Sequence, residues 1–594
     1  MPHQPQKTFY LTIGCFLFFL AMAIFGWVKL KYGFNYIDEG MYMADAWRLT
    51  VGDRLFPDNA PSAIRLYIVF NALVFKLYPG ITLLGFRQLQ YILALIAIII
   101  FGAAIYRWDR RLWLAPLAMA VFSFTGLDTV GFASNLSYYT YPHLFIVLHI
   151  AFLIFALTSQ QGLTRSILLV ASGIALWGAG FSMIPLSAAM ISPVLFWLCS
   201  KHLGVKERLF LFKDLLLVLF PGIILWGGFI ATYNAAFFRA LLYTYHFMKE
   251  GGKAEAWVNY VALEYIIATA IFWTILIIAQ RFSVRIMIAI VIIVSGFMFW
   301  ILELNLFGLI TPFRFGRYSN QMWFCSLIIT FIAIFIAHLI RQKRSNAPLG
   351  SNDYLLLLIL IPSIAIALLF SHYSDFGITT TLYVAIPVTM AMVLFLIRQL
   401  ETRYSASQNI AAIVIVVFLF PFSYHLAWAD WKWTYFDMAP AKLSYTINDG
   451  FATGIKTNEN YASMAAWLES RASVYSSAND FAIIMEQAPM VYMLIKRRPA
   501  LNHSWTGLGG SISLRHDSVK EMIMENRHPK IAYRFLRWPM INPVSLRDET
   551  YQTASNIINY SPSDPVSIYV TTQMRRIDTF FINGEPWIEL YIAR

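Results

Sequence analysis

Two adjacent acidic residues follow the first long apolar segment and are the first that could perform chemistry. The stretch is Tyr36-Ile37-Asp38-Glu39-Gly40-Met41-Tyr42, after the apolar run from Phe9 to Val28. A carboxylate placed at a hydroxyl oxygen can take up its proton while that oxygen attacks an electrophilic carbon. The same pair could instead stabilise the positive end of a helix, with Asp38 as the N-cap. The residues alone leave both hypotheses open, membrane-surface chemistry and helix capping.

The elements that must position this pair are mostly membrane helices. The chain has 594 residues, 59% hydrophobic and 13% charged, which is not the composition of a soluble globular protein. Apolar runs of about 17–25 residues can cross a bilayer as helices, and backbone groups without water partners require that conformation. We predict about thirteen spans, at 9–29, 87–106, 112–126, 143–158, 165–181, 182–200, 209–230, 258–280, 285–302, 321–340, 353–371, 378–397 and 408–427.

Charge predicts the orientation of these spans. Segment 64–79 is apolar but short and carries Arg65 and Lys76, which favours a helix lying in the membrane interface. With a cytoplasmic N-terminus, basic clusters then fall in inner loops, and the outer loops 127–142 and 371–378 contain no Lys or Arg. Residues 30–86 become the first outer loop. The first span lacks a small-residue cleavage site and is predicted to be an anchor, in a protein of the bacterial inner membrane.

The C-terminal part has a different composition. Residues 428–594 are predicted to form a soluble α/β domain on the outer, periplasmic side, and residues 1–427 a membrane domain. Tyr461–Leu468 has helical spacing, whereas Phe481–Met485 and Ile531–Phe535 have the pattern of strands. Asn583-Gly584 supplies the positive φ angles of a tight hairpin. This domain shows no nucleophile–base set, so we expect a recognition or structural role.

The arrangement resembles the GT-C glycosyltransferases, in the branch of protein O-mannosyltransferases and aminoarabinose–lipid A transferases. Asp38-Glu39-Gly40-Met41-Tyr42 is similar to that branch's Asp-Glu-x-x-Tyr start, and the stretch Asn71 to Gly80 is similar to its interfacial helix. Further matches are Asp128 in the second outer loop and Tyr383-Val384-Ala385-Ile386-Pro387. The resemblance implies an α-helical polytopic GT-C-like fold with a C-terminal periplasmic α/β domain.

The resemblance also implies a reaction, transfer of a sugar from a polyprenyl-phosphate donor to an acceptor hydroxyl at the outer face. Asp38 is the expected base of an inverting attack, Glu39 would orient the acceptor or help hold a cation, and Asp128, Tyr42 and Tyr383 are further site residues. The leaving phosphate needs positive charge, and arginine can bind two of its oxygens at once. The candidate phosphate partners are the outer basic residues Arg65, Arg239, Lys249, Lys253, Arg314 and Arg317.

Ordinary structural roles remain open for these residues. Asp128 could be a polar loop residue, and any single outer Arg or Lys could reach a lipid headgroup. The stretch Pro57-Asp58-Asn59-Ala60-Pro61-Ser62 lacks the lysine of the Lys-Pro-Pro run usual in aminoarabinose transferases, and Arg65 would replace it. The Trp-Trp-Asp signature of oligosaccharyltransferases is absent, so transfer of a whole oligosaccharide to asparagine is not expected.

Three other functions compete with the transferase. A transporter or flippase usually carries ionisable residues deep in its helices, whereas here they gather at one face. A lipid-linked glycan ligase or polymerase would use the same donors, with its key groups in a later outer loop. A scaffold would use only the tail. We expect a polyprenyl-phosphate sugar donor, a lipid, glycan or protein acceptor, membrane lipids and no nucleic acid. Metal dependence is open, since a carboxylate pair could hold a divalent cation.

Overall fold

Apolar helices occupy the first two thirds of the chain, and a mixed sheet with helices follows. The computed structural model describes residues 4–58, 65–126, 136–137, 139–203, 210–250, 263–279, 286, 289–290, 293, 319–345, 350–373, 386–404, 434, 436–504, 512–545, 550–553, 558 and 561–594. The helices of the first part are α1 (Gln4–Lys29), α2 (Asp38–Thr50), α3 (Tyr67–Leu77), α4 (Leu83–Asp109), α5 (Leu114–Gly126), α6 (Thr140–Thr158), α7 (Leu163–Ser182), α8 (Ser192–Leu203), α9 (Phe212–Glu250), α10 (Leu263–Ala279), α11 (Ser319–Arg344), α12 (Ser351–Tyr373) and α13 (Ile386–Tyr404).

Five of the described helices are long and apolar enough to cross a bilayer, and they make the chain an integral membrane protein. They are Phe9–Lys29, Leu83–Asp109, Thr140–Thr158, Leu163–Ser182 and Phe212–Leu242. Large apolar side chains such as Ile96 and Ile99 of α4 are exposed, as expected for surfaces that meet lipid. The number of about thirteen spans stays a prediction. Residues 408–427 and most of 285–302 lie outside the described part of the chain.

Helix α9 is longer than the predicted span 209–230. It continues to Glu250, with non-helical dihedral angles at Asn234 (φ 31°, ψ −115°) that mark a kink. The residues after the kink are again apolar and include neither Gly nor Pro before Gly251, so nothing in the sequence ends the helix earlier. The second half of α9 contacts the segment 30–86, since the rings of Phe237 and Phe56 lie 5.6 Å apart.

The C-terminal part contains a five-stranded sheet flanked by helices. Its helices are α14 (Glu459–Tyr475), α15 (Met490–Ile495), α16 (Ile512–Met524) and α17 (Pro565–Gln573). Its strands are β1 (Tyr445–Thr446), β2 (Lys456–Thr457), β3 (Phe481–Met485), β4 (Arg498–Pro499), β5 (Pro529–Phe535), β6 (Ile541–Ser545), β7 (Thr550–Thr553), β8 (Met574–Ile582) and β9 (Glu585–Ala593). The sheet order is β4-β3-β5-β9-β8, with β3 parallel to both β4 and β5.

Local predictions for this part are confirmed. The predicted helix 461–468 lies within α14, and the two predicted strands are β3 and β5. Strands β8 and β9 form the predicted antiparallel hairpin. Its turn has positive φ at Asn583 (52°) and Gly584 (78°), the conformation for which this residue pair is favoured.

The segment 30–86 and the C-terminal part share one hydrophobic core. Phe34, Tyr36 and Phe75 belong to the same buried cluster as Phe451 and Tyr461. The rings of Tyr36 and Tyr461 meet edge to face at 5.3 Å, and those of Phe75 and Phe451 lie 6.2 Å apart. The helix bundle has a separate core built around α4, α6 and α7. The acidic pair of the sequence therefore lies on an element that packs against the C-terminal part.

Candidate functional site

Helix α2 begins at Asp38, and its first turn is held by a neighbouring asparagine. The side-chain oxygen of Asn35 accepts hydrogen bonds from the backbone N–H groups of Ile37 (2.8 Å) and Asp38 (3.2 Å). The N-cap position is Ile37, which makes no side-chain capping bond. Asp38 is therefore a first-turn residue and not the cap, and its half-buried carboxylate lies at the positive end of the helix dipole.

Glu39 has a very different environment from Asp38. Its two carboxylate oxygens each accept a hydrogen bond from Arg87 of α4, at 2.6 Å. Both side chains are buried, with 3% and 5% of their surface exposed. Arg87 also donates to the carbonyl oxygens of Leu30 (2.8 Å) and Gly33 (2.9 Å). Glu39 thus connects α2 to α4 through Arg87, and its predicted role toward an acceptor or a metal cation stays a prediction.

Arg65 lies beside the face of α2 that carries Asp38. Its Nη1 atom is 3.2 Å from the sulfur of Met41. Residues three apart in a helix are neighbours on one face, so Met41 is the next residue along from Asp38 on this face. Arg65 is half-buried and stands just before α3. Arg65 is therefore the predicted phosphate partner that the described structure places against α2, through Met41.

A buried asparagine fixes α3 against α2 and α6. The Asn71 amide nitrogen donates to the carbonyl oxygens of Tyr42 (3.2 Å) and Leu136 (2.6 Å), and its oxygen accepts from the Tyr141 hydroxyl (2.9 Å). Buried polar groups that are fully paired make a junction rigid. Tyr42 itself is buried, and its ring packs edge to face on Tyr67 at 5.8 Å. Its predicted role in the site stays a prediction.

The far end of α2 is joined to the C-terminal part by charged groups. Asp53 accepts hydrogen bonds from Arg48 Nε (2.6 Å) and from Arg498 Nη2 of β4 (2.5 Å). Arg48 Nη2 also donates to the carbonyl oxygens of Asp58 (2.6 Å) and Leu501 (2.9 Å). These groups are named the Arg48–Asp53–Arg498 clamp below.

Further polar contacts surround this clamp. One turn before Arg48, Asp45 accepts a hydrogen bond from the Ser504 hydroxyl. Burial alone would raise the pKa of the Asp58 carboxyl, but hydrogen bonds from the Arg54 side chain and backbone hold it below its usual value. Arg54 also pairs with Glu525 at 3.2 Å, at an exposed position. The loop after α2 is thus bonded to two segments of the C-terminal part.

Several titratable groups of the C-terminal part are buried. Burial raises the pKa of Glu486, at the end of β3, to about 7. Its backbone has φ 80°, an uncommon value for a residue other than glycine. Burial, with the nearby charges of Arg48 and Arg515, lowers the pKa of His503 to about 3. Burial raises the pKa of Asp437 to about 6, although its oxygens accept hydrogen bonds from four donors. His503 is therefore neutral at physiological pH.

Of the other predicted phosphate partners, Arg239 is the one whose side chain the structure describes. Arg239 is exposed on α9, and its Nε donates to the carbonyl oxygen of Ala235 in its own helix (3.3 Å). Lys249 belongs to α9, but its side chain is outside what the structure describes. The remaining predicted site residues also lie outside the described residues: Asp128, Lys253, Arg314, Arg317 and Tyr383. Among the described residues, no group of three or more His, Cys, Asp or Glu could hold a metal ion.

Sequence reasoning missed the residues that hold α2 in place. Arg87 stands at the start of a predicted span, where a charged side chain next to hydrocarbon usually has an ionic partner. This position was the one sequence feature that indicated an ion pair. Its partner Glu39 is 48 residues away, so no local spacing reveals the pair. Arg48 and Arg498 are 450 residues apart in the chain and meet only through Asp53.

Comparisons with known proteins give matches among solved structures only. No protein-family model matches this chain, and no curated protein matches it. An oligosaccharyltransferase of Archaeoglobus fulgidus, solved with Zn and sulfate, is 11% identical over 87% of this chain and 68% of its own, with a TM-score of 0.41. The same organism's oligosaccharyltransferase AglB, with an inhibitory peptide and a dolichol-phosphate, is 11% identical over 88% and 69%, with a TM-score of 0.40.

A third structure is ArnT from Cupriavidus metallidurans bound to undecaprenyl phosphate. It is 14% identical over 97% of both chains, with a TM-score of 0.40. These neighbours are GT-C oligosaccharyltransferases and an aminoarabinose transferase, the enzyme class named by the sequence resemblance. TM-scores of 0.40 and 0.41 are too low for the likeness to carry a conclusion about this chain's activity.

Proposed function

We propose that this chain is a membrane glycosyltransferase that moves a sugar from a polyprenyl-phosphate donor to an acceptor hydroxyl. The observation that carries the proposal is the contact of Arg65 with Met41, three residues along α2 from Asp38, while the adjacent Glu39 is bound by Arg87. A carboxylate and a guanidinium on one face meet the two needs of the reaction, a base for the acceptor and positive charge for the phosphate. The Asp-Glu-x-x-Tyr motif at residues 38–42 supports the same assignment.

The proposed step is a displacement at the anomeric carbon. The acceptor oxygen forms a bond to that carbon while Asp38 takes the hydroxyl proton. The bond from the anomeric carbon to the phosphate oxygen breaks, and its electron pair stays on the polyprenyl phosphate. Arg65 stabilises the charge that the phosphate gains. Attack from the face opposite the leaving group inverts the configuration of the sugar.

The environments of the two carboxylates support Asp38 as the base. A base must be able to reach the acceptor hydroxyl within hydrogen-bond distance. The Glu39 carboxylate would have to leave Arg87 to do so, which would strand a buried cation in an apolar core. Asp38 is half-buried and stands in the first turn of α2, outside the buried contact between Glu39 and Arg87.

The location of the site follows from the predicted topology. We place the acidic pair, the first outer loop 30–86 and a C-terminal domain 428–594 on the periplasmic side of a bacterial inner membrane, and the N-terminus in the cytoplasm. The membrane domain 1–427 would bind the polyprenyl chain. The acceptor is a hydroxyl of a lipid, glycan or protein that reaches the outer face.

The test uses the full-length protein in lipid nanodiscs. It is incubated with undecaprenyl-phosphate-linked hexoses, pentoses and amino sugars, together with envelope lipid, glycan and protein fractions. Mass spectrometry measures the release of undecaprenyl phosphate and the gain of sugar by an acceptor. We expect release with at least one donor, and Asp38→Asn should lower its rate by about 10²–10⁴-fold, the usual contribution of a general base.

Asp517→Asn is the matched control, because it neutralises an exposed carboxylate on α16. This variant should keep the wild-type rate, and the Asp38→Asn protein should elute and melt as the wild type does. Wild-type protein that leaves every donor intact would contradict the proposal, as expected for a transporter. Equal rates for wild type and a folded Asp38→Asn variant would remove Asp38 from the mechanism.

A further inference from the structure

We propose that the C-terminal part sets the position of Asp38 by gripping α2 at two places. The catalytic consequence of this inference rests on the proposed function, whereas the grip itself can be measured without any substrate. The first contact is the Arg48–Asp53–Arg498 clamp, and the second is the close approach of α2 to the start of α15. Arg48, Asp53 and Arg498 are positioning residues in this account.

The clamp is buried, so it holds the chain in one arrangement. The Arg48 and Asp53 side chains are 0% and 2% exposed, and Arg498 is 28% exposed. Loss of the Asp53 carboxylate would leave the buried Arg48 guanidinium unpaired in a medium of low dielectric constant. Leu501, which follows β4 by two residues, also accepts from Arg48 through its carbonyl oxygen. Both contacts therefore connect the end of α2 to the β4 edge of the sheet.

The second contact lies at the beginning of α2. The backbone N–H of Met490 donates to the carbonyl oxygen of Tyr36 (3.1 Å), just before the helix starts. A Cβ atom added at Gly40 would stand 2.0 Å from the Met490 backbone nitrogen. No residue other than glycine fits there without moving one helix away from the other. The C-terminal part thus contacts α2 on both sides of Asp38 along the chain.

Because α2 is short, a movement at its far end changes the position of Asp38. Arg48 is ten residues beyond Asp38, about 15 Å along the axis at the usual rise per residue. A helix of this length moves nearly as a rigid rod, so releasing one end tilts the other. A misplacement of about 1 Å at a reacting group can cost about 10²-fold in rate. The C-terminal part would therefore act on turnover without touching the substrate.

Arg498→Ala tests the clamp, because it removes the partly exposed member and leaves the buried Arg48–Asp53 pair neutral. Hydrogen–deuterium exchange of the full-length protein reports on α2 directly, since local opening raises exchange. We expect residues 38–50 to exchange at least about tenfold faster, with β3 and β5 unchanged. In the donor assay kcat should fall about tenfold or more, with KM altered less than about threefold. Arg498→Lys restores the cation and should recover most of both losses.

Arg471→Ala is the matched control. It breaks the ion pair between Arg471 of α14 and Asp578 of β8 (2.6 Å), which is partly exposed and joins two elements of the C-terminal part. It should leave α2 exchange and kcat unchanged. Gly40→Ala disturbs the second contact, because the added methyl group would clash with the Met490 backbone. It should also raise hydrogen exchange in α2 and lower kcat.

Two results would overturn the inference. One is a folded Arg498→Ala protein whose α2 exchange equals that of the wild type, or whose kcat is within about twofold of it. The other is an equal loss in Arg471→Ala, which would indicate general weakening of the C-terminal part. If the wild type consumes no donor, the proposed function fails, and the exchange measurement still decides whether the clamp holds α2.

Discussion

Each of the two faces at the start of α2 carries a carboxylate, and the two carboxylates differ in burial and in their partners. On one face, both oxygens of Glu39 are bound by Arg87 within a buried contact to α4. On the other face, Asp38 is half-buried. Arg65, which precedes α3, contacts Met41 three residues further along α2. The names anchored face and open face are used below for the Glu39 side and the Asp38 side.

Two adjacent carboxylates can have different roles because their partners and burial differ. A carboxylate that accepts two charge-assisted hydrogen bonds from one arginine is held in place by that contact. The Asp38 carboxylate lies in the first turn of α2, outside that buried ion pair. In the proposed function, the anchored face gives rigidity and the open face carries the catalytic base.

The largest expected effect breaks the anchored face. Arg87→Met leaves Glu39 buried without its partner, and removal of one member of a buried pair typically costs about 3–5 kcal/mol. We expect that loss in the free energy of unfolding, measured by denaturant titration in detergent. The double variant Glu39→Gln/Arg87→Met should lose less than Arg87→Met alone, since no unpaired charge remains. A single-variant loss below about 1 kcal/mol would show that Glu39 is not an anchor.

The next effect tests the open face. Arg65→Ala removes the positive charge expected at the phosphate and should lower kcat by about 10²-fold, with little change in the free energy of unfolding. Arg65→Lys should retain part of the rate, because a lysine keeps the positive charge but lacks the planar guanidinium that binds two phosphate oxygens at once. Arg239→Ala is the discriminating partner, since Arg239 lies exposed on α9. A larger loss in Arg239→Ala than in Arg65→Ala would move the phosphate away from α2.

A pH effect tests the segment that leads into the anchored face. Asp437 accepts hydrogen bonds from Phe34 N (3.0 Å), Met438 N, Thr457 and Asn458, and burial raises its pKa to about 6 from an ordinary 3.8. The folded state therefore holds this proton to higher pH than the unfolded chain does. The stabilisation that comes from protonation is complete below pH 4 and is lost as pH rises to about 6.

Comparison with Asp437→Asn isolates this contribution. The free energy of unfolding of the wild type, relative to that of Asp437→Asn, should fall by roughly 3 kcal/mol at most between pH 4 and pH 7. Thermal and denaturant unfolding at several pH values in that window measure the difference. A constant or rising difference would mean that the four donors outweigh burial and that Asp437 stays ionised.

The smallest expected effect concerns the turn that both faces share. Asn35→Ala removes the acceptor for the N–H groups of Ile37 and Asp38 and should cost about 1 kcal/mol, as loss of a helix-terminal acceptor usually does. Asn35→Asp keeps an acceptor and should cost less. A loss of turnover far beyond the loss of stability would indicate that Asn35 also orients Asp38. Equal stability of both variants and the wild type would contradict the role of Asn35 in holding the turn.

The sequence predicted elements whose signals are local. The membrane helices followed from runs of apolar residues, and the Asn583-Gly584 hairpin followed from turn chemistry. The interfacial segment 64–79 contains α3, although its position relative to the lipid stays a prediction. The partner of Glu39 could not be predicted, because a buried ion pair between residues 39 and 87 depends on how α2 and α4 pack.

The same limit applies to the C-terminal part. Its helix and strands at 461–468, 481–485 and 531–535 were predictable from periodicity. Its contact with the first loop was not predictable, because Arg498, which binds Asp53 together with Arg48, lies far from both of them in the sequence. Gly40 has no sequence feature that sets it apart from a tolerated helical glycine until the backbone of Met490 is seen beside it.

The most direct test of the central claim is an electron cryomicroscopy structure of Asp38→Asn bound to an undecaprenyl-phosphate sugar that the wild type consumes. The account predicts the phosphate within hydrogen-bond distance of the Arg65 guanidinium. It also predicts the residue 38 side chain about 3–4 Å from the position of an attacking oxygen at the anomeric carbon. A phosphate bound away from α2, or a residue 38 side chain turned from the sugar, would contradict it.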